Sequence, residues 1–186
     1  MNRKDSWGLI ARLLHWSSGA VILYMLWLGV YMTEFVTDIY AQFGLFQTHK
    51  SWGFVAFVLG ALRLLWRAVN PTPALPDGMK GWEITASRIS HISLYVLMIA
   101  MPISGWLMSS ASPLQDAYGI KNMVFEVFEY PDPFVPGSET LETVFKLIHK
   151  GCAIAIALIV VTHVGAALKH QFVAKDGLLR RMILGR

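Results

Sequence analysis

Apolar residues fall into four long runs along this chain, and polar residues, prolines and glycines separate one run from the next. Each run approaches the roughly 20 residues that an α-helix needs to cross the apolar core of a bilayer. The pattern therefore predicts an all-α protein, an integral membrane four-helix bundle formed by a single domain over residues 1–186. We place the four spans at about 9–32, 48–69, 88–109 and 145–169.

The composition agrees with a membrane protein, because 55% of the residues are hydrophobic and only 15% are charged. The net charge of +4 comes from Lys and Arg residues that lie beside the apolar runs and form no basic stripe. We therefore expect membrane lipid as a partner and no nucleic acid. Because Cys152 is the single cysteine, the chain has neither an intrachain disulfide nor a Cys-x-x-Cys-His haem attachment.

The distribution of charge predicts that both termini face the cytoplasm, since Lys and Arg are retained on that side of a membrane. The first connection carries Glu34 and Asp38 without a basic residue, and the third connection is largely acidic. The basic residues are Arg3, Lys4 and Arg12 near the N-terminus, Arg63, Arg67, Lys80 and Arg88 around the second connection, and Lys169, Lys175, Arg180, Arg181 and Arg186 in the tail.

Four of the six histidines match in depth as two pairs. His149 and His163 are 14 residues apart on the fourth span, which corresponds to about 21 Å of helical rise and nearly four whole turns. They therefore share one helix face at two levels of the membrane. His15 enters the first span from the cytoplasmic side to the level of His163, whereas His49 begins the second span at the level of His149.

Two levels with two imidazoles each predict two b-type haems, because a zinc site needs three or four nitrogen or sulfur ligands at one level. A haem with both axial positions filled favours electron transfer over oxygen binding. The alternative from another class is a haem-free transporter or structural bundle, in which the histidines relay protons or form hydrogen bonds between helices.

Basic side chains near these levels are candidates for contacts with haem propionates or with a small anion. Arg63 lies 14 residues from His49, and Arg67 lies one turn further out. Lys50 and Lys150 directly follow two of the histidines on the opposite side. The alternative is that all four residues anchor helix ends at the membrane interface.

The remaining histidines, His91 and His170, fall at the cytoplasmic ends of the third and fourth spans. A histidine at the interface carries little energetic cost, although either could serve in protonation of a quinone. The third connection is rich in aromatic residues, which favours a position against the outer membrane interface.

Several short motifs occur in the order typical of one family, and the chain resembles the prokaryotic cytochrome b561 group over nearly its whole length. This group is related to the cytochrome b subunits of hydrogenases and formate dehydrogenases. The motifs are Arg12-Leu13-Leu14-His15-Trp16, Arg63-Leu64-Leu65-Trp66-Arg67 with Asn70-Pro71-Thr72-Pro73, His91-Ile92-Ser93-Leu94-Tyr95, the pair His149 and His163, Lys175-Asp176 and Leu179-Arg180-Arg181-Met182.

The resemblance implies two non-covalent b haems with axial ligands at His15, His49, His149 and His163, a quinone partner, and a location in the bacterial inner (cytoplasmic) membrane. For compact members it further implies oxidation of superoxide at the outer face, with electrons delivered to ubiquinone. The alternative within the same chemistry is an electron-relay subunit that docks to a redox partner protein, such as a dehydrogenase or a hydrogenase-type complex.

Overall fold

Four long helices form the protein, and each is long and apolar enough to cross a membrane. The computed structural model describes residue 2 and residues 6–76 and 78–185, so the predicted charges at Arg3, Lys4 and Arg186 lie outside the described residues. The spans are Leu9–Phe35, Ile39–Val69, Gly81–Ser110 and Glu139–Ala174. This confirms the all-α class and the four spans.

The helices within these spans are named in chain order. The first is α1 (Leu9–Val30), which ends in a π-helical turn, and the second and third are α2 (Ile39–Val69) and α3 (Gly81–Ser110). A short α4 (Pro113–Tyr118) and a hairpin of β1 (Met123–Val124) and β2 (Phe128–Glu129) follow. The chain then forms α5 (Glu139–Lys169), a second π-helical turn (His170–Ala174) and α6 (Leu178–Ile183).

Three helices begin six to nine residues before the predicted span starts at 48, 88 and 145, so each of them extends beyond its apolar run. Polar capping groups explain the difference, because they stabilise helix beyond the apolar run. Asp38 accepts a hydrogen bond from the Ala41 amide at 2.8 Å, and the Glu83 carboxylate accepts one from the Lys80 amide at 2.9 Å. His49 therefore lies ten residues inside α2, and His149 lies ten residues inside α5.

The principal packing contacts among the described residues join α3 to α5, α1 to α2, and α2 to α3. At the last of these interfaces Gly60 allows close approach, since a Cβ there would lie 3.4 Å from the Met98 carbonyl oxygen. Apolar side chains cover the outside of the bundle, where they contact lipid, and the protein is a multi-pass membrane protein. Examples that are more than half exposed are Leu23, Leu65, Ile92 and Leu158, one from each span.

The two ends of the chain meet on one side of the bundle, which we call the terminal face. Arg12 donates a hydrogen bond to the Ile183 carbonyl at 2.9 Å, and Trp16 donates one to the Met182 carbonyl at 3.1 Å. Arg181 in turn reaches the Ala74 carbonyl in the connection between α2 and α3 at 2.9 Å. The tail is therefore tied to the start of α1 and to the second connection.

The third connection covers the other side of the bundle, which we call the hairpin face. The Phe125 amide donates a hydrogen bond to the Ser51 hydroxyl at 2.9 Å, and the Phe125 ring packs edge-on against Trp52 at 5.7 Å between centroids. Phe128 packs against Phe54 in the same way at 5.3 Å. The aromatic residues of this connection thus fasten it to α2.

A buried polar network centred on Asn122, which is 1% exposed, holds the same connection together. Its side-chain oxygen accepts hydrogen bonds from Ser109 at 3.0 Å and from Lys50 at 3.3 Å. Its side-chain nitrogen donates to Asp132 at 3.0 Å and to Ser110 at 3.3 Å. Both ends of the amide are therefore satisfied.

We expect Asn122→Ala to destabilise the protein by about 2 kcal/mol, because it removes the four hydrogen bonds of a buried amide and leaves the buried Ser110 hydroxyl without this donor. Thermal unfolding of the protein in detergent measures this loss. Asn2→Ala is the matched control and should cost far less, because it removes a partly exposed amide that donates to the Pro71 carbonyl and accepts from the Gly8 amide. Equal losses in the two variants would contradict a structural role of the network.

Candidate functional site

Two pairs of histidine rings lie inside the bundle, one toward each face. His15 on α1 faces His163 on α5, with 6.2 Å between ring centroids and 51° between ring planes. His49 on α2 faces His149 on α5 at 6.3 Å and 77°. We call these the terminal-side pair and the hairpin-side pair. The structure thus brings together the partners that depth had suggested, and their role as axial ligands stays a prediction.

The spacing of each pair fits a metal between the two rings. An imidazole nitrogen binds a metal at about 2 Å, and the ring centre lies about 1 Å further away. Two imidazoles on opposite sides of one iron therefore have centres roughly 6 Å apart. Both pairs match this distance, and each supplies two nitrogen ligands at its level. Within the described part of the chain, no group of three or more His, Cys, Asp or Glu side chains could hold a metal ion.

His149 is held by hydrogen bonds that leave its other ring nitrogen free. Its Nδ1 donates to the Met101 carbonyl at 3.1 Å and lies 3.1 Å from the Ser104 hydroxyl, which itself donates to the Met101 carbonyl. Such a bond selects the tautomer whose Nε2 carries a lone pair for a metal. Met101 and Ser104 were missed by the sequence analysis, because a carbonyl and a small hydroxyl residue in an apolar run carry little signal.

Glycines on neighbouring helices make room for both rings of the hairpin-side pair. A Cβ at Gly105 on α3 would lie 2.9 Å from Cε1 of His149, and a Cβ at Gly29 on α1 would lie 3.6 Å from Cε1 of His49. The Nδ1 atom of His49 is buried, and no hydrogen-bond partner for it occurs among the residues that the structure describes. The two rings are therefore positioned differently, His149 by bonds and His49 by packing.

A guanidinium accompanies the terminal-side pair. Nη2 of Arg63 donates a hydrogen bond to Nδ1 of His15 at 2.7 Å, and the guanidinium lies 5.4 Å from the centroid of the Tyr95 ring. Arg67, one turn further along α2, is exposed. Arg63 thus lies at the level predicted for it and contacts the histidine of the pair, whereas Arg67 points toward the surroundings of the bundle.

The terminal-side pair has a third imidazole beside it. The ring of His91 lies 5.4 Å from that of His163, and its Nδ1 is 3.4 Å from the Ser87 hydroxyl. His170 is elsewhere: it is buried in the π-helical turn after α5, and its Nδ1 donates to the Asp176 carboxylate at 2.5 Å. Of the two remaining histidines, only His91 therefore contacts the paired rings.

The two lysines of the hairpin face have different surroundings. Lys50 is half-buried and bonded to Asn122, whereas Lys150 is exposed. Tyr130 also belongs to this end of the molecule, and burial together with the Asp132 carboxylate raises the pKa of Tyr130 to about 12. The phenol is therefore uncharged at neutral pH, and Lys150 is the more exposed of the two lysines.

Comparison with known proteins decides the family. The model of the family described as prokaryotic cytochrome b561 matches residues 6–185. The chain belongs to this family. It is 31% identical to cytochrome b561 homolog 2 of Escherichia coli (strain K12) over 184 residues, which cover 98% of this chain and 93% of the relative. Cytochrome b561 homolog 1 of the same organism is 29% identical over 137 residues, covering 74% of this chain and 73% of the relative.

Membership in the prokaryotic cytochrome b561 family confirms the resemblance and its coarser consequences. This protein is a membrane cytochrome that binds b-type haem and transfers electrons. The ring spacing of the two histidine pairs fits an iron between two imidazoles, and their role as ligands stays a prediction.

Proposed function

We propose that this cytochrome carries electrons across the bacterial inner membrane through two haems, from superoxide at the hairpin face to ubiquinone near the terminal face. The observation that carries the proposal is the pair of histidine contacts at 6.2 and 6.3 Å on two levels of one bundle. The two ligands on α5 are 14 residues apart, or about 21 Å along the helix. Two haems at these levels would divide the path of an electron across the membrane into shorter transfers.

In this proposal His15 and His163 hold one haem, and His49 and His149 hold the other. A b-type haem supplies an iron that holds one electron at a time and exchanges it without making or breaking covalent bonds. The helices contribute rigidity, since ligands on packed helices move little when the charge of the centre changes. The Met101 carbonyl and the close approach of Gly105 fix the ring of His149, and the guanidinium of Arg63 is placed to neutralise a propionate.

The donor and acceptor come from the family resemblance, and the arrangement of charges supports their sides. The basic residues of the terminal face favour a cytoplasmic position for both termini, so the hairpin face would meet the periplasm. There Lys150 follows His149 directly, and a cation next to this pair favours the approach of a small anion. Two superoxide anions lose one electron each and leave as dioxygen, and one ubiquinone takes up these electrons with two protons to become ubiquinol.

The protons for quinone reduction would come from the terminal face. His91 contacts the ring of His163 and is therefore placed to pass a proton close to that site. His170 with its Asp176 partner lies at the membrane edge and is a candidate for proton entry from water. These roles extend the prediction that either histidine could serve quinone protonation.

The test is quinone reduction by the purified protein alone, supplied with enzymatically generated superoxide and a soluble ubiquinone analogue. We expect ubiquinol formation in the ratio of one per two superoxide anions consumed. Reduction only in the presence of a co-purifying dehydrogenase would instead support an electron-relay subunit. Absence of a Soret band in protein expressed with an ample supply of haem would contradict the proposal and favour the haem-free transporter.

We expect Lys150→Met to lower kcat/KM for superoxide several-fold at low ionic strength, because steering by an exposed cation is screened by salt. Stopped-flow measurement of haem reduction by superoxide, at two salt concentrations, checks this. Lys121→Met is the matched control, because Lys121 is also exposed on this face but is paired with Glu129 at 2.7 Å. An equal effect of both substitutions would argue against a role specific to Lys150.

A further inference from the structure

The two histidine pairs differ in the group that lies next to Nδ1 of a paired histidine, the ring nitrogen that would not bind the iron. At the terminal-side pair a cation faces it, because Nη2 of Arg63 lies 2.7 Å from Nδ1 of His15. At the hairpin-side pair only neutral acceptors face it, because Nδ1 of His149 points to the Met101 carbonyl and the Ser104 hydroxyl, each at 3.1 Å. The two sites are therefore electrostatically unequal.

The charge of Arg63 stays beside the terminal-side pair when His15 binds a metal. A ligating imidazole keeps a proton on its other nitrogen. Nδ1–H of His15 and the guanidinium of Arg63 would then both be donors, so no hydrogen bond could join them. Deprotonating the imidazole would create another buried charge, whereas the long arginine side chain can rotate away from Nδ1 at small cost. The Tyr95 ring, 5.4 Å from the guanidinium, keeps it at this level.

The surroundings of the hairpin-side pair favour the oxidised iron, whereas Arg63 favours the reduced iron at the terminal-side pair. A ring N–H that donates to a carbonyl makes the imidazole a more basic ligand, which stabilises the oxidised iron. The two lysines of this level offset that effect little. Lys50 is turned to the amide of Asn122, which also donates to the Asp132 carboxylate, and Lys150 is exposed on the outside of the bundle. A partly buried cation at the other pair favours the reduced iron, because the added electron is attracted to it.

We propose that Arg63 makes the haem of the terminal-side pair the higher-potential centre of the two, and so sets the direction of electron flow from the hairpin face to the terminal face. This inference rests on the proposed function, in which each pair holds one haem. Arg63 acts here as a positioning and charge-setting residue and takes no part in any bond to iron.

The experiment is a redox titration of the purified, haem-loaded protein followed by visible spectroscopy. We expect Arg63→Met to lower the potential of the higher-potential haem and to shift the electron-sharing equilibrium between the haems roughly tenfold or more. For a one-electron couple, tenfold corresponds to about 59 mV. Arg63→Lys, which keeps the charge, should restore most of the difference, and Arg88→Met, which removes an exposed arginine of α3, should change it little.

A His149→Ala background assigns the shift to its site, since only the terminal-side haem should remain there. The lower potential must reappear when Arg63→Met is added to this background. If Arg63→Met does not retain haem, Arg63→Gln removes the charge while keeping a hydrogen-bond donor. Ser104→Ala in the otherwise wild-type protein provides an independent measurement. Loss of one acceptor near Nδ1 of His149 should raise the potential of the hairpin-side haem alone.

Unchanged potentials in Arg63→Met and Arg63→Gln, with both haems present, would overturn the inference and leave the proposed function intact. A shift of the lower-potential haem instead of the higher one would overturn it as well. Failure of the proposed function has a different signature: the wild-type protein would bind a single haem, or His149→Ala would lose every haem.

Discussion

His49→Ala and His149→Ala should each remove the same haem and leave the other, so that the haem content falls from two per chain to one. The reason is geometric: the two rings lie 6.3 Å apart, and neither can be replaced by another histidine among the described residues of that level. His15→Ala and His163→Ala should remove the other haem. Redox difference spectra with quantification of extracted haem measure both the number of centres and which one is lost.

The same set of variants contains its own control. His91→Ala should retain both haems, because His91 contacts the ring of His163 without forming either pair. Loss of the terminal-side haem in His91→Ala, combined with its retention in His15→Ala, would mean that His91 is the ligand opposite His163. If His15→Ala and His149→Ala perturb one and the same centre, the two-level assignment is wrong.

Gly105→Val should weaken binding at the hairpin-side pair by about 10–100-fold and leave the terminal-side pair unaffected. Even the Cβ of alanine would lie 2.9 Å from Cε1 of His149, which is closer than real Cβ contacts, and valine adds two methyl groups. The ring must then move and lose its hydrogen bonds to Met101 and Ser104. Titration of haem into the haem-free protein, with the two centres resolved spectrally, measures the affinity.

Gly44→Val is the matched control for this prediction. Gly44 lies in α2 toward the hairpin face, and a Cβ there would have no heavy atom within 4 Å among its described surroundings. The Gly44→Val variant should bind both haems as the wild type does. If Gly105→Val loses both haems together, or unfolds at the temperature where Gly44→Val is stable, the substitution acts on folding instead of on the ring of His149.

The number of helices and the partners of the histidine rings were predictable from the sequence. The number follows from the apolar runs, and the partners follow from the distance of each histidine along its helix. A run of apolar residues must be buried in lipid, and 14 residues bring His149 and His163 to one face at two levels. Depth alone then matched His15 with His163 and His49 with His149. The helix starts were less predictable, since Asp38 and Ser138 extend α2 and α5 beyond the apolar runs by capping their first turns.

The electrostatic character of the two sites was not predictable in this way. The sequence placed Arg63 near the terminal-side pair by its spacing from His49, but it could not distinguish a contact with His15 from an arginine at the membrane surface. Met101, Ser104 and Gly105 carry no chemical signature in an apolar run, and their importance depends on the rotation of α3 against α5.

The sequence by itself therefore determined a four-span membrane bundle, its family, and two levels of paired histidines, because hydropathy and helical rise depend only on the order of residues along the chain. Only the tertiary structure decided which groups face each ring: a guanidinium at His15, a carbonyl and a hydroxyl at His149, and glycines behind the hairpin-side rings. These contacts join residues of different helices, and the relative rotation and separation of helices depend on packing across the whole bundle.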